Sequence, residues 1–185
     1  MLLRFKKILR NVIDNKIQNL YWLKFWFFLK TIKNEQELVI FDLDNTLADT
    51  YPCIKNKIDL TKVYAQLKVH NGTKSMLIEH LKSDKVIILS ARPYKYRKVT
   101  EQWVTDNLVG SKKKLSIFLV HKVNLKLRYL LAATKSKKSI TYYDDLSYNH
   151  ENGEVKFYYE IIQSVRNLPL RYIDYNQIRK INHDS

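Results

Sequence analysis

The sequence predicts an α/β fold in which a parallel sheet carries helices on both faces, the Rossmann-like arrangement. Continuous apolar runs of strand length recur along the chain, and three of them are residues 38–41, 86–89 and 140–143. A helical pattern of apolar residues follows each run, which is typical of parallel strands joined by crossover helices. Polar residues stand directly after each run, where open parallel sheets bind their ligands.

The first apolar run ends in two carboxylates, Asp42 and Asp44, with Thr46 two residues further on. Side chains two apart on a strand share a face, so both carboxylates are expected to point into one site. Like charges this close are tolerated mainly when a cation or a proton lies between them. The pattern indicates a divalent metal and phosphoryl chemistry, although alone it also fits a strand followed by an Asp-Asn turn.

The other two runs end in further polar residues. Ser90 and Arg92 follow the second run, and Asp144 and Asp145 follow the third. Between them, Lys126 stands at the start of a helical stretch. Polar clusters at equivalent positions of a predicted sheet are difficult to explain by packing, and they favour one common site at the carboxyl ends of the strands.

These clusters, in this order, resemble the four motifs of the haloacid dehalogenase-like (HAD) superfamily, over most of the chain. The resemblance implies that Asp42 is the nucleophile and Asp44 the general acid and base. It further implies that Ser90 binds the phosphoryl group and that Lys126 neutralises its charge, with Lys122 as the alternative lysine. Dehalogenases of the superfamily lack the second acid, so the presence of Asp44 argues against a carbon–halogen substrate.

The resemblance also implies a bound Mg²⁺ ion. The predicted metal-binding set is Asp42, Asp44, Asp144 and Asp145, in which Asp44 contributes through a nearby backbone carbonyl. Asp145 is expected either to join the metal shell through water or to hold Lys126. An oxygen-only ligand set suits the octahedral preference of Mg²⁺.

Two residues are predicted to bind substrate, and each has an alternative role. Thr46 contacts the phosphate or caps the turn after the strand through its hydroxyl. Arg92 binds the substrate phosphate or pairs with a carboxylate. The histidines show no metal-ligand spacing and are interpreted as surface or packing residues: His70, His80, His121 and His150.

The activity that the resemblance implies is a Mg²⁺-dependent phosphatase, which hydrolyses a phosphomonoester through an aspartyl-phosphate. The segment of residues 90–104 is similar to the region after motif II in the 3′-phosphatase domain of phage polynucleotide kinase. A polynucleotide 3′-phosphate or a nucleotide is therefore the first substrate we expect. The alternative is a catalytically idle HAD-like binding module, tethered to membrane or nucleic acid by its N-terminal helix.

The intervals between the motifs leave no room for a large cap domain, so we expect an open cleft that admits bulky substrates. The intervals are filled by short predicted elements. These are helices at residues 61–67, 72–81, 94–108 and 155–165 and strands at residues 115–120 and 170–175.

Residues 1–36 are predicted to form a helical extension to a core of residues 37–185. Residues 1–33 carry eight Lys or Arg against one Asp, within a chain whose net charge is +15. Apolar residues recur with helical spacing, and residues 20–29 are dense in aromatic side chains. Three interpretations remain open: packing on the core or on a second copy, binding to an anionic membrane surface, and binding to nucleic acid.

Composition supports a cytoplasmic protein. The single cysteine excludes an internal disulfide, as is common in a reducing compartment. The N-terminal apolar stretch is interrupted by Lys24 and Lys30, is too short to cross a bilayer, and has no small-residue cleavage site. If this helix binds lipid, the protein would lie peripherally on the inner face of the membrane. The sequence predicts no oligomeric state.

Overall fold

The computed structural model describes residues 2–32, 36–50, 59–110, 115–137 and 139–183, and for residues 2–12 and 151 the backbone alone. Cys53 lies outside these ranges. In chain order the elements are α1 (Leu2–Thr31), β1 (Leu38–Phe41), β2 (Ala48–Asp49), α2 (Leu60–Ala65), β3 (Lys68–Val69), α3 (Asn71–His80), β4 (Lys85–Ser90), α4 (Arg97–Val104), β5 (Ser116–Leu119), α5 (Lys126–Ser136), β6 (Ile140–Tyr143), β7 (Ser147–Tyr148), β8 (Lys156–Phe157), α6 (Tyr159–Arg166), β9 (Arg171–Ile173) and α7 (Tyr175–His183).

Five parallel strands form the central sheet in the order β5-β4-β1-β6-β9. Every residue of β1 and β6 is buried, as expected for strands that helices cover on both faces. The predicted Rossmann-like α/β fold is therefore confirmed. β1 lies at the centre of the sheet, so the residues that follow it have a strand end on either side.

The helices cover both faces of the sheet. From β1 the chain crosses to β4 and β5, then returns to β6 and β9 on the other side. Right-handed crossovers place α3 and α4 on one face and α5 and α6 on the opposite face. α1 packs against α5 and β5, whereas α7 packs against α3.

The inner face of α1 belongs to the hydrophobic core. Tyr21, Phe25 and Leu29 recur at intervals of four residues and are buried. The ring of Phe25 lies 5.1 Å from that of Phe118 on β5 and 4.8 Å from that of Tyr129 on α5, measured between centroids. The basic N-terminal segment thus packs on the sheet layer through one stripe of side chains. None of the helices in the described ranges combines the length and the apolarity that a membrane span needs.

Two C-terminal elements differ from the prediction. The helix predicted over residues 155–165 begins only at Tyr159, because Lys156–Phe157 form β8, which pairs antiparallel with β7. No element was predicted after residue 175, yet α7 lies there and buries Ile178. Strands of two residues are too short to show a periodicity, so tertiary contacts decide them. α7 does have apolar residues with helical spacing, at Tyr175, Ile178 and Ile181, but the prediction did not use this pattern.

Gly72 shows why α7 packs against α3. A Cβ atom at this position would lie 2.1 Å from the backbone oxygen of Ile181 on α7. Only glycine therefore permits this approach of the two helices. Among the described residues, the insertions between sheet strands are small: the β2–β3 pair with α2, and the β7–β8 pair. No cap domain lies within these ranges.

Candidate active site

Three carboxylates meet at the carboxyl ends of β1 and β6. These strands pair with Phe41 opposite Tyr143, so Asp42 and Asp144 follow them side by side. The backbone N–H of Asp42 donates to the carbonyl of Tyr143 at 2.8 Å. Asp42, Asp144 and Asp145 are all buried, and each offers an oxygen that lies within 4.8 Å of the other two. We call these three residues the carboxylate cluster.

Lys126, the first residue of α5, is buried against the carboxylate cluster. Its Nζ donates to Asp42 Oδ1 and to Asp144 Oδ2, both at 2.7 Å. Burial alone would lower the pKa of Lys126, but the charges of Asp144 and Asp42 outweigh burial and raise it above its usual value. Lys122, the other lysine considered for this position, is exposed. Of the two, the structure brings Lys126 to the carboxylates.

The carboxylate cluster carries more negative charge than Lys126 can neutralise. Burial raises the pKa of Asp42 well above its usual value, and the charge of Asp144 adds to this, whereas Lys126 opposes it. Burial also raises the pKa of Asp145. Three buried carboxylates facing one ammonium favour a further cation. Because all the donors are carboxylate oxygens, the residues present fit Mg²⁺ or another hard divalent ion.

Asp44 lies apart from the carboxylate cluster and is held by Arg92. Arg92 donates from Nη2 to Asp44 Oδ1 at 2.6 Å and from Nε to Asp44 Oδ2 at 3.0 Å. Of the two roles considered for Arg92, the structure shows the pairing with a carboxylate. The Asp44 side chain is thus paired with Arg92 and is not part of the carboxylate cluster, and a metal ligand from a backbone carbonyl near Asp44 stays a prediction. The Asp44 side chain is 31% exposed, so solvent or substrate can reach it.

Arg92 is held in position by several neighbouring side chains. Its side chain is fully buried, and its guanidinium lies 4.1 Å from the centre of the Tyr64 ring. Its Nη1 donates to the hydroxyl of Thr100 at 3.3 Å. Burial, together with the negative charge of Asp44, raises the pKa of Tyr64 to about 12, so the phenol stays neutral. The carboxylate of Asp44 is therefore presented in one orientation by an immobilised partner.

The hydroxyl of Thr46 contacts Asp145 instead of capping the turn after β1, and its predicted contact with phosphate stays a prediction. Thr46 is fully buried, and its hydroxyl accepts a hydrogen bond from the backbone N–H of Asp145 at 3.4 Å. The same hydroxyl lies 3.5 Å from Asp145 Oδ1. Its carbonyl accepts from the hydroxyl of Thr73 at 2.6 Å. Thr46 therefore links the loop after β1 to Asp145 and helps to fix that carboxylate.

Ser90 ends β4, the strand beside β1, and is fully buried. Its hydroxyl has no hydrogen-bond partner within the described ranges. Leaving a buried hydroxyl unpaired costs about 1–3 kcal/mol, so an unpaired buried hydroxyl in a folded protein calls for an explanation, such as a functional role. The capacity of Ser90 to donate a hydrogen bond at the carboxyl edge of the sheet fits the predicted contact with a phosphoryl oxygen.

Asp145 is held by residues that follow it in the chain. The hydroxyl of Ser147 donates to Asp145 Oδ2, and His150 Nε2 lies 3.7 Å from the same oxygen. The interpretation of His150 as a surface or packing residue therefore misses its contact with the site. The possibility that Asp145 holds Lys126 is also not what the structure shows, since the hydrogen bonds of that ammonium go to Asp42 and Asp144.

Two tyrosines at the site were not predicted. The hydroxyl of Tyr142 donates to Asp144 Oδ2, and that of Tyr172 donates to the Asp144 carbonyl at 2.9 Å. Tyr142 stands two residues before Asp144 on one strand, so strand alternation could have indicated a shared face. Ser147 has the same spacing from Asp145. The sequence around Tyr172 carries no comparable signal, because its contact depends on the pairing of β6 with β9.

A cleft of about 210 Å³ opens beside Asp145, and its walls combine four aromatic rings with charged residues that include Arg166 and Asp174. Phe157, Tyr159, Tyr172 and Tyr175 line it, and we call it the aromatic cleft. The ring of Phe157 lies 5.2 Å from that of Tyr175 and 5.9 Å from that of Tyr159. Because Asp145 belongs to both the cleft and the carboxylate cluster, the two adjoin each other.

No protein-family model matches the chain, and no curated protein matches it. Among solved structures, a chain of the "Pnkp1/Rnl/Hen1 complex" is similar, with 19% sequence identity and a TM-score of 0.48. The match covers 78% of this chain and 48% of that chain, so this chain spans about half the length of its structural neighbour. A similarity of this size assigns no activity, which has to be inferred from the site.

Proposed function

We propose that this protein is a Mg²⁺-dependent phosphatase that hydrolyses a phosphomonoester through an aspartyl-phosphate on Asp42. The observation that carries this proposal is the buried carboxylate cluster, joined to Lys126, with the accessible Asp44 two residues from Asp42. The order of these residues in the chain resembles the HAD superfamily, whose commonest activity is phosphate ester hydrolysis. That resemblance supports the same assignment.

In the first step, a carboxylate oxygen of Asp42 attacks phosphorus and the bond to the leaving oxygen breaks. Asp44 gives a proton to this leaving alkoxide. In the second step, Asp44 takes a proton from a water molecule that attacks the aspartyl-phosphate, which releases phosphate and restores Asp42. Arg92 keeps Asp44 in one orientation for both proton transfers. One acid thus acts as nucleophile and the other as proton carrier.

The remaining residues stabilise negative charge. Ser90 donates a hydrogen bond to a phosphoryl oxygen, and Lys126 balances the charge that develops during transfer. Asp42, Asp144 and Asp145 would hold Mg²⁺, together with a backbone carbonyl near Asp44. When bound, the ion neutralises phosphoryl oxygens and favours the ionised form of the nucleophile.

The aromatic cleft favours a substrate that carries a nucleobase. Aromatic side chains stack on bases of any sequence, at about 1–3 kcal/mol per base. Tyr159 is 69% exposed at the cleft, so its ring is accessible to such a partner. A nucleotide or a polynucleotide 3′-phosphate is therefore the substrate we propose. The similarity of the segment after Ser90 to phage 3′-phosphatase domains supports the same class.

Phosphate release from an aryl phosphate, with Mg²⁺ and with EDTA, tests the activity. We expect turnover with Mg²⁺ only, and none in Asp42→Asn. Asp106→Asn, which changes an acid outside the site, should leave the rate unchanged. Turnover that persists in Asp42→Asn would contradict the mechanism. An absence of turnover with every phosphomonoester, combined with binding to membrane or nucleic acid, would instead support the catalytically idle module.

The substrate class needs a separate comparison. Tyr159→Ala should lower kcat/KM for a nucleoside 3′-monophosphate about tenfold, since a stacking partner is removed. The same variant should hydrolyse glycerol phosphate, which lacks a base, at the wild-type rate. Tyr148→Ala is the matched control because Tyr148 is exposed but lies outside the cleft. Equal losses on both substrates would rule out base stacking while leaving the phosphatase proposal intact.

A further inference from the structure

The outer face of α1 is apolar although it faces away from the core. Leu20 is 66% exposed, Leu23 51%, Trp26 42% and Phe27 55%. We call these four residues the outer stripe. They alternate around the helix with the inner residues that pack on the sheet, so the helix is apolar on both sides. Contiguous exposed apolar side chains of this size mark a binding surface more often than a solvated one.

Within the described part of α1, the charged residues beside the outer stripe are lysines. Lys16, Lys24 and Lys30 are exposed on the same side of α1. The single acid in the sequence of α1, Asp14, lines a different cavity together with Tyr94 and His121. The partner of this face must therefore accept both apolar side chains and ammonium groups.

A basic cavity adjoins the outer stripe between α1 and α5. Its volume is about 720 Å³, and its walls include Trp22, Trp26 and Leu131. Its cations lie against these rings: Arg128 is 4.1 Å from the centre of the Trp22 ring, and Lys30 is 3.6 Å from that of Trp26. Within the described ranges, no acidic side chain lines it. The cavity thus combines apolar walls with anchored positive charge.

We propose that the outer stripe and the basic cavity form a docking surface for membranes that contain anionic phospholipids. A helix lying in the membrane plane buries Leu, Phe and Trp at the boundary of headgroups and acyl chains. Lysines beside it extend their ammonium groups to the lipid phosphates. The cations of the cavity bind headgroup phosphate in the same plane. This inference does not depend on the phosphatase activity.

Charge and shape distinguish this partner from the other two that the sequence left open. A symmetric contact between two copies would bring the lysines of one outer face close to the same lysines of the other, which is unfavourable. Nucleic acid would satisfy the lysines, but aliphatic Leu20 and Leu23 cannot stack on bases and would gain little from a phosphate backbone. An anionic bilayer is complementary to both features.

Flotation of the full-length protein with vesicles tests the proposal. We expect binding to mixtures of phosphatidylcholine and phosphatidylglycerol, growing with the anionic fraction and weakening as salt is added. The triple variant Leu20→Ser/Leu23→Ser/Phe27→Ser should bind at least about tenfold more weakly, because three apolar side chains no longer insert. Leu60→Ser/Ile78→Ser, which alters exposed apolar residues on α2 and α3, should bind like the wild type.

A second pair of variants tests the charges. Lys16→Gln/Lys24→Gln/Lys30→Gln should lose most of the preference for anionic over neutral vesicles. The control removes three exposed lysines elsewhere: Lys62→Gln/Lys68→Gln/Lys82→Gln. If both triples lose the preference equally, net charge rather than this face would be responsible. Circular dichroism melts should show that every variant remains folded, since all these side chains are exposed.

Other results would overturn the proposal. Equal binding to neutral and anionic vesicles, or no binding to either, contradicts it. A dimer in sedimentation equilibrium that the serine triple variant dissociates would assign the outer stripe to a second copy. Oligonucleotide binding that the same variant abolishes, without any vesicle binding, would assign this face to nucleic acid.

Discussion

The candidate active site has two halves, and in each of them aspartate is paired with a basic residue. In the buried half, Asp42 and Asp144 share Lys126, and both are closed off from solvent together with Asp145. In the accessible half, Asp44 is paired with Arg92 and remains partly exposed. Two aspartates separated by a single residue thus have different partners. Environment rather than residue type thus separates the proposed nucleophile from the proposed proton carrier.

The partners of the two halves differ for a physical reason. An ammonium is a compact charge with rotatable donors, so Lys126 can bond two carboxylates at once. A guanidinium is a planar fork that matches both oxygens of one carboxylate, so Arg92 fixes the orientation of Asp44. In the buried half, Lys126 therefore balances the charge of the carboxylates. In the accessible half, Arg92 fixes the orientation of the Asp44 carboxylate. The predictions below separate these two effects.

Lys126→Met should produce the largest effect, because it leaves buried carboxylates without a counter-charge. We expect about 3–5 kcal/mol lower unfolding free energy in metal-free protein and loss of activity. Added Mg²⁺ should restore part of this stability, since a bound cation can replace the lost charge. Urea unfolding with EDTA and with Mg²⁺ measures both quantities. Lys122→Met, at an exposed position, should change neither the unfolding free energy nor the activity. A comparable loss in Lys122→Met would contradict the assignment of Lys126 as the counter-charge of the carboxylate cluster.

Asp44→Asn should reduce kcat by a factor of about 10²–10⁴, the usual contribution of a general acid or base. Its affinity for Mg²⁺ should stay close to that of the wild type, whereas Asp144→Asn should weaken it strongly. Steady-state kinetics and calorimetric Mg²⁺ titration measure the two effects. An Mg²⁺ affinity that falls as much in Asp44→Asn as in Asp144→Asn would place the Asp44 carboxylate in the metal set.

The stability of the metal-free protein should depend on pH through Asp42. Burial raises the folded-state pKa of Asp42, so above about pH 4 the unfolded chain loses this proton before the folded one does. The stabilisation from this group is complete below that pH and is lost as pH rises through the folded-state pKa. Each unit of difference between the two pKa values corresponds to about 1.4 kcal/mol.

Comparison with Asp42→Asn isolates this group, since asparagine does not titrate. The wild type should lose stability relative to the variant as pH is raised from about 4 towards alkaline values. Urea unfolding in EDTA across that range provides the measurement. If the difference in unfolding free energy between the wild type and Asp42→Asn does not change with pH, Asp42 has the same pKa in the folded and unfolded states.

Arg92→Lys should have the smallest effect of the four, because charge is kept while the forked geometry is lost. We expect kcat to fall on the order of tenfold, with little change in KM or Mg²⁺ affinity. Arg97→Lys is the control, since Arg97 also pairs with a carboxylate but at an exposed position. A change in Mg²⁺ affinity in Arg92→Lys would show that the two halves are not independent.

The sequence indicated which residues form the buried half, but not the hydrogen bonds that connect the loops of the site. Asp42, Ser90 and Asp144 follow strand-like runs, and the parallel sheet brings strand ends together, so their proximity followed from general rules. The hydrogen bonds from Asp145 to Thr46 and from Arg92 to Asp44 join loops distant in the chain. Such contacts depend on how loops pack, which local patterns do not encode.

The same limit applies to the fold. The sheet strands were readable because buried parallel strands are continuously apolar. By contrast, α7 depends on a close approach at Gly72, and β8 depends on its pairing with β7. The sequence also left the outer face of α1 undecided, because apolar and basic residues alternate around the whole helix and periodicity alone cannot say which stripe is covered.

A series of hydrogen bonds connects α7 to Asp145. Asn182 on α7 accepts the backbone N–H of Thr73 at 2.9 Å. The hydroxyl of Thr73 holds the carbonyl of Thr46, and the hydroxyl of Thr46 in turn contacts Asp145. Losing α7 would therefore remove one support of Asp145, a carboxylate of the proposed metal set, although α7 contributes no side chain to the carboxylate cluster. A helix outside the sheet thus steadies the edge at which the proposed reaction takes place.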